Sequence, residues 1–266
     1  MQDPSSENPE LRLQRDGDIG FVIASNPARM NAFTAGMWRA LPEFLAAAEA
    51  DPAIRVIVLR GAGTRAFSAG ADISEFDSAR SGDATTAYDA LNDAAFRALS
   101  GCTKPTIAMI HGFCLGGGLA IALCADMRLA DDAAEFAIPA AKLGLGYNAR
   151  WVRPLLAAVP PARAKEMLFT GRRFKVAEAE AMGLVNTVVP AAELEVTTRA
   201  LAEEIAANAP LTVRAAKCTI DELVRNPQTP DLAALDAAVA ACFASEDYAE
   251  GRLAFKEKRN PRFKGR

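Results

Sequence analysis

Two short stretches carry residue types whose spacing could do chemistry. In "FCLGGGLAIALCAD", Phe113 to Asp126, three consecutive glycines (Gly116 to Gly118) open an apolar run that reads as a buried helix. Glycine costs about 1 kcal/mol per position relative to alanine inside a helix, so three together point to a close backbone approach or to a ligand. A strand ending at His111, a turn through Cys114 and a helix opening at the glycines would leave N–H groups unpaired in the first turn. With no β-carbon in the way, that turn suits an anion or a developing oxyanion. The second stretch, "AFSAGADISEF" (Ala66 to Phe76), comes after an apolar run and again pairs small residues with a turn. The N–H of Ala71 could there converge with that of Gly117. Two converging N–H donors form an oxyanion hole, and losing one costs about 2.7 to 4 kcal/mol of transition-state stabilisation. The spacing fits equally well two tight turns that need glycine only for packing. Neither glycine fingerprint for nucleotides is present, since no Lys-Ser/Thr pair comes after the glycines and there is no GxGxxG.

Other chemistry-bearing residues have simpler readings. His111 is the sole histidine and has no serine and aspartate at motif spacing, so it reads as structural or pocket-lining. Asp126 reads as a hydrogen-bonding carboxylate at a helix-to-strand turn, and Asp72 as the cap of a helix beginning near Ile73. Tyr147 reads either as a core-capping phenol or as a catalytic one. Glu75, Asp77, Tyr88 and Asp89 are candidates for a replacement acid beside the turns.

These residues must be positioned by an α/β framework. "GFVIAS" (Gly20 to Ser25), "RVIVLRG" (Arg55 to Gly61) and "PTIAMIHG" (Pro105 to Gly112) read as buried strands, each leading into a turn and a helical segment. "DMRLA", "EFAIPA" and "LVNTVVP" read as further strands. From Ala191 onward the apolar residues fall at helical spacing (Leu194, Leu201, Ile205; Val213, Ala216, Ile220, Leu223; Leu232, Leu235, Val239, Phe243). Pro210, Pro227 and Pro230 mark breaks, and Ser245 with Glu246 and Asp247 marks the start of a last helix.

Composition narrows the classes. The 266 residues are 51% hydrophobic and 24% charged, enough for a sizeable core. A net charge of −3 gives no footprint for nucleic acid or for an anionic membrane. Five cysteines without a CxxC pair read as buried thiols in a reducing compartment, not as a disulfide framework or a metal site. The polar N-terminus "MQDPSSENPELRLQRDGD" has neither the apolar core of an export signal nor an organellar pattern, so a cytoplasmic setting is expected. The uncharged run between Lys104 and Asp126 carries His111 and glycines, and the apolar stretch beyond the glycines is too short to cross a bilayer, which needs about 20 residues.

Together, "RMNAF", "FSAGADISEF", "IHGFCLGGGLAIALCADMRLA", "FAIPAAKLGLGY" and "FKEKRNPRFKG" resemble the enoyl-CoA hydratase/isomerase family, also called the crotonase superfamily, in family order over nearly the whole chain. The resemblance implies a crotonase-like spiral of ββα units with its acyl-CoA site in residues 1–195. It also implies a C-terminal helical trimerisation region in residues 196–266, building a homotrimer or a hexamer as a dimer of trimers. The substrate implied is an acyl-CoA thioester, with coenzyme A as part of the substrate and no prosthetic group. By the same resemblance, Ala71 and Gly117 match the donors that hold the thioester oxygen. Ala69, Gly70, Asp72 and Ile73 border the CoA adenine, Arg29 meets CoA phosphates, and Phe255 and Lys258 reach a CoA, in some members the neighbour's.

The sequence also departs from the family. Where hydratases of the family carry two glutamates, this chain has Ala120 and Ala140, and a third acidic position used by some isomerases falls on Asn148. Adding water to an enoyl thioester needs a base for the water and an acid for the α-carbon, roles alanine cannot fill. Tyr147 coincides with a tyrosine in a similar "LG-x-x-YN" stretch of decarboxylases acting on methylmalonyl-CoA. Losing CO₂ generates the enolate without a carboxylate base. The remaining alternatives are a non-catalytic acyl-CoA-binding paralogue and, with little support, a serine peptidase built on Ser68 and His111. The lysine-rich helix of an RNA-binding branch is absent from the sequence.

Overall fold

In the computed structural model, residues 9–72, 75 and 83–266 are described. Among these residues ten strands form two sheets. The larger contains β1 (Glu10–Asp16), β2 (Ile19–Ser25), β3 (Val56–Gly61), β5 (Thr106–Ile110), β7 (Met127–Asp131) and β10 (Thr187–Val189), in the order β1-β2-β3-β5-β7-β10. The smaller is ordered β4-β6-β8-β9, from β4 (Ala66–Ser68), β6 (Phe113–Leu115), β8 (Glu135–Ala137) and β9 (Phe174–Lys175). The chain spirals: β3 then β4, β5 then β6, and β7 then β8 each lay one strand in each sheet. Helices α1 (Ala35–Ala50), α2 (Asp83–Ser100) and α3 (Gly117–Ala122) separate successive turns. This is the expected spiral of ββα units.

The central strands are apolar on both faces because both are covered. Ile57, Leu59, Ala108 and Ile110 face the main core with α1 and α2. Val56, Val58, Ile107, Met109 and Leu129 face a second core closed by Leu194, Ala202 and Ala206 of α7 (Leu194–Ala206). Parallel pairing of β2, β3, β5 and β7 keeps the two faces in register, with Val58 opposite Phe21 and Ile107. Such doubly buried strands read as near-continuous hydrophobic runs, which is why they are legible in sequence.

Three expectations change. The polar stretch after residue 9 is a strand, β1, antiparallel to β2 at the sheet edge, where Arg12, Gln14 and Arg15 can meet solvent. Phe113–Leu115 is strand β6 and not a turn; the chain turns instead at His111–Gly112. "LVNTVVP" forms a strand only over Thr187–Val189, because Asn186 is used to receive the N–H of Arg128.

Between these parts lie α4 (Ala149–Ala158), α5 (Pro161–Thr170) and α6 (Val176–Ala181). Three helices end the chain: α8 (Pro210–Arg225), α9 (Leu232–Phe243) and α10 (Glu246–Glu257). Pro210 opens α8, and Ser245 caps α10 by accepting the N–H of Tyr248, as the sequence indicates. The boundary expected at 195/196 falls within α7. Lys217 of α8 is buried against Asp126, which also receives the N–H and hydroxyl of Thr106, so Asp126 is the structural carboxylate expected. No helix among the described residues is long and apolar enough to cross a membrane.

Candidate active site

The glycine triplet occupies the crossing from the small sheet to α3. Gly116 takes φ 51° in the turn that caps the helix, and its N–H is used by Ala137. A β-carbon on Gly117 would lie 3.2 Å from the ring of Trp38 and 3.6 Å from the backbone nitrogen of Ala71. On Gly118 it would lie 2.5 Å from the carbonyl oxygen of Ser68, a backbone contact that cannot give. Glycine is therefore required by the turn at the first position and by close packing at the third.

Ala71 reaches this point through a single parallel bridge to Phe33. Phe33 donates to the carbonyl of Gly70 (2.7 Å), and Asp72 donates to the carbonyl of Phe33 (2.9 Å). Bonds from an extended chain alternate sides, so the N–H of Ala71 is turned away from Phe33, toward Gly117. Gly117 begins α3, where the first N–H groups have no partner within the helix. Among the described residues neither N–H donates to a protein acceptor. Two small, partly accessible residues thus lie close together, each with a backbone N–H that no protein acceptor receives among the described residues.

Aromatic rings form the wall beside them. Trp38 is fully buried, stacks on Phe33 at 4.3 Å and donates from Nε1 to the Tyr88 hydroxyl at 3.2 Å. The row continues edge-to-face through Phe96 to Trp151 and Tyr147. Trp151 is fixed by a 2.8 Å hydrogen bond from its Nε1 to the buried carboxylate of Asp93, which also pairs with Arg150. Trp38 is not legible as a site residue in the sequence; it sits within an ordinary amphipathic helical pattern and joins the site only by what α1 packs against.

Ala120 and Ala140, where the resemblance sets glutamates, are closed and apolar. Ala120 and Ala140 are buried, at 4% and 8% exposure, within the main core. Asn148 is committed as the cap of α4, its Oδ1 receiving the N–H groups of Arg150 (3.0 Å) and Trp151 (3.2 Å). The Tyr147 hydroxyl is buried and has no hydrogen-bond partner among the described residues. Burial pushes its phenol above the usual range, with a smaller contribution from Cys124, one turn beyond Ala120. Cys124 is itself buried and pushed up to about 12, which keeps it an inert thiol.

Around Ala71, the N–H of Ala69 donates to the carbonyl of Met30 at 2.9 Å, which sets the exposed Arg29 beside the run Ala69–Asp72. Asp72 is buried, with Oδ2 3.5 Å from Asn26 Nδ2. Ile73 and Asp77, and with them the helix that Asp72 was expected to cap, lie outside the described residues. Glu75 receives the N–H of Ala35 at 2.7 Å. Phe255, 88% exposed, and Lys258, at the end of α10 with φ 54°, share no hydrogen bond with this cluster among the described residues. His111 is buried with Nδ1 3.3 Å from Asp131, while Ser68 Oγ receives the N–H of Gly70, so no Ser-His pair forms. No group of three or more metal-ligating side chains occurs among the described residues.

A family model described as enoyl-CoA hydratase/isomerase matches residues 15–266. A carnitinyl-CoA dehydratase of Proteus mirabilis is 38% identical over 261 residues, covering 96% of this chain and 98% of that protein. A short-chain-enoyl-CoA hydratase of Clostridium acetobutylicum is 33% identical, covering 93% and 94%. Among solved structures, an enoyl-CoA hydratase/carnithine racemase from Magnetospirillum magneticum superposes with a TM-score of 0.90 at 38% identity, covering 96% of each chain. A family protein from Hyphomonas neptunium gives 0.92 at 38%, covering 96% and 98%. The spiral fold, the paired turns and these relatives agree: the chain belongs to the enoyl-CoA hydratase/isomerase family.

Proposed function

We propose that the protein holds the thioester oxygen of an acyl-CoA between the N–H groups of Ala71 and Gly117 and works through the enolate that this pair stabilises. The observation that supports the reading is the proximity of two backbone N–H groups without a protein acceptor among the described residues, with Ala71 nitrogen 3.6 Å from the β-position of Gly117. Enolate formation moves negative charge onto that oxygen, so both donors bind the transition state more tightly than the ground state. In this reading Arg29, Ala69, Gly70, Asp72 and Ile73 border the CoA, and Phe255 and Lys258 serve a CoA from the exposed end of the chain. The helices after α7 then form the surface on which a trimer or hexamer is built. The family and the named relatives support an acyl-CoA substrate; the CoA-bordering roles rest on the resemblance, and the pairing of Ala71 with Gly117 is supported also by their proximity.

A second reading, decarboxylation of a malonyl-type thioester, is favoured by the neighbourhood of Ala120. Two apolar alanines leave no carboxylate at those positions to repel the substrate's own, and the buried Tyr147 hydroxyl stays neutral. The C–C bond to the carboxylate would break, its electron pair would pass into the enolate, CO₂ would leave, and the α-carbon would then take a proton. A neutral phenol can supply that proton, the phenolate left behind then regaining one from solvent. Incubation with crotonyl-, malonyl- and methylmalonyl-CoA followed by mass spectrometry tests both readings: no change in any thioester would refute catalysis, and hydration alone would refute decarboxylation.

A further inference from the structure

We infer that Asn31 is a positioning residue for the Ala71 N–H, its buried amide locking the loop Asn26–Phe33 onto the stretch from Ala62 to β4 that leads into the donor. This rests on the reading of Ala71 and Gly117 as the pair that holds the thioester oxygen. Asn31 is 2% exposed and takes φ 55°, directly after Met30 at φ 50°. Asparagine tolerates this left-handed conformation better than most residues. Both of its amide hydrogens are used, Nδ2 donating to the carbonyls of Ala62 (2.9 Å) and Ala66 (2.7 Å). Its Oδ1 receives the N–H of Asn26 at 3.1 Å. The slot for this amide is kept open by Gly61, where a β-carbon would lie 2.5 Å from Nδ2.

From that anchor the two segments zip toward the site. Asn26 Nδ2 donates to the carbonyl of Ala32 at 2.8 Å, and Ala69 donates to Met30. Next come the two bonds between Phe33 and the flanks of Ala71. The donor thus sits at the far end of a ladder whose origin is one side chain. Freeing that end lets the N–H of Ala71 swing off the shared point, while Gly117, held by α3 and the small sheet, stays in place.

The test is the carbonyl stretch of butyryl-CoA labelled with ¹³C at the thioester carbon, read by isotope-edited infrared spectroscopy on the bound ligand. The unaltered protein should shift the stretch to lower frequency. Asn31→Gly, which keeps the backbone freedom and deletes the amide, should lose most of that shift while affinity for unacylated CoA changes by less than about threefold. If Asn31→Gly does not fold, Asn31→Asp, which keeps the shape but cannot donate to Ala62 and Ala66, provides the same measurement. Replacing Ala71 by lactate, which exchanges its N–H for an ester oxygen, separates the two ideas. A full shift with lactate at 71 refutes Ala71 as a donor. Loss of the shift with lactate but a full shift in folded Asn31→Gly overturns the role of Asn31, as does an equal loss of CoA affinity.

Discussion

The backbone nitrogen of Ala71 lies 3.6 Å from the point that a β-carbon on Gly117 would occupy, and no protein acceptor among the described residues receives either N–H. The two residues come from successive turns of the spiral, Ala71 just beyond β4 and Gly117 just beyond β6, two strands paired in the small sheet. Their meeting is enforced by Trp38, which packs on Gly117 and stacks on Phe33, the residue bridged to Ala71.

Gly117→Pro removes one of these donors at a first helical position, where proline is well tolerated. Trp38 must yield by a few tenths of an ångström to admit the β-carbon. The expected result is a folded protein whose turnover of its thioester falls by about 10²- to 10³-fold, the usual effect of losing one such donor. Circular dichroism verifies the fold; retained turnover in a folded variant removes Gly117 from the reaction.

Hydration of crotonyl-CoA should be very slow, since general acid and base contributions of about 10²- to 10⁴-fold each have no glutamate at 120 or 140 to supply them. Ala120→Glu with Ala140→Glu should raise hydration and depress any loss of CO₂ from malonyl-CoA, because carboxylates there repel the substrate's charge. Product analysis of both reactions in the single and double variants measures this. Rapid hydration by the unaltered protein would falsify it.

The phenol of Tyr147 is pushed up by burial, so its neutral, proton-donating form persists above the pH at which an ordinary tyrosine ionises. If it protonates the enolate, loss of CO₂ from malonyl-CoA should stay level through and above pH about 10, with no alkaline fall at the usual tyrosine value. Tyr147→Phe should slow the reaction across that whole range. A pH–rate profile of the two proteins decides it: equal rates would release Tyr147 from the chemistry.

The C-terminal helices leave Ile220, Phe243 and Phe255 exposed, at 62%, 62% and 88%, around an apolar cavity of about 930 Å³ lined by Ala216, Val239 and Phe263. An apolar surface of this kind marks an interface. Light scattering should give a trimer or hexamer, and Phe243→Asp with Phe255→Asp should shift it toward monomer. A monomeric native protein would rule out a CoA site shared between subunits through Lys258.

The sequence by itself determined the buried strands β2, β3, β5 and β7, the glycine turn before α3, the break at Pro210, the cap at Ser245, and the family. Each of these is written locally, as an apolar run, a residue that only one backbone conformation accepts, or a motif. It did not reveal β1, β4, β6 or β9. β4, β6 and β9 are three residues or fewer and too short to show a period, while β1 is polar because it lies at a sheet edge. Nor did it show that Asn31, within "RMNAF", spends its whole amide on Asn26, Ala62 and Ala66, or that Trp38 backs Gly117. Apart from the contact with Asn26, those relationships join residues far apart along the chain, and their distances are set by how the two sheets and α1 pack. The residue types were legible in the sequence; only the tertiary structure decided that the backbones of Ala71 and Gly117 lie together and which side chains pack beside them.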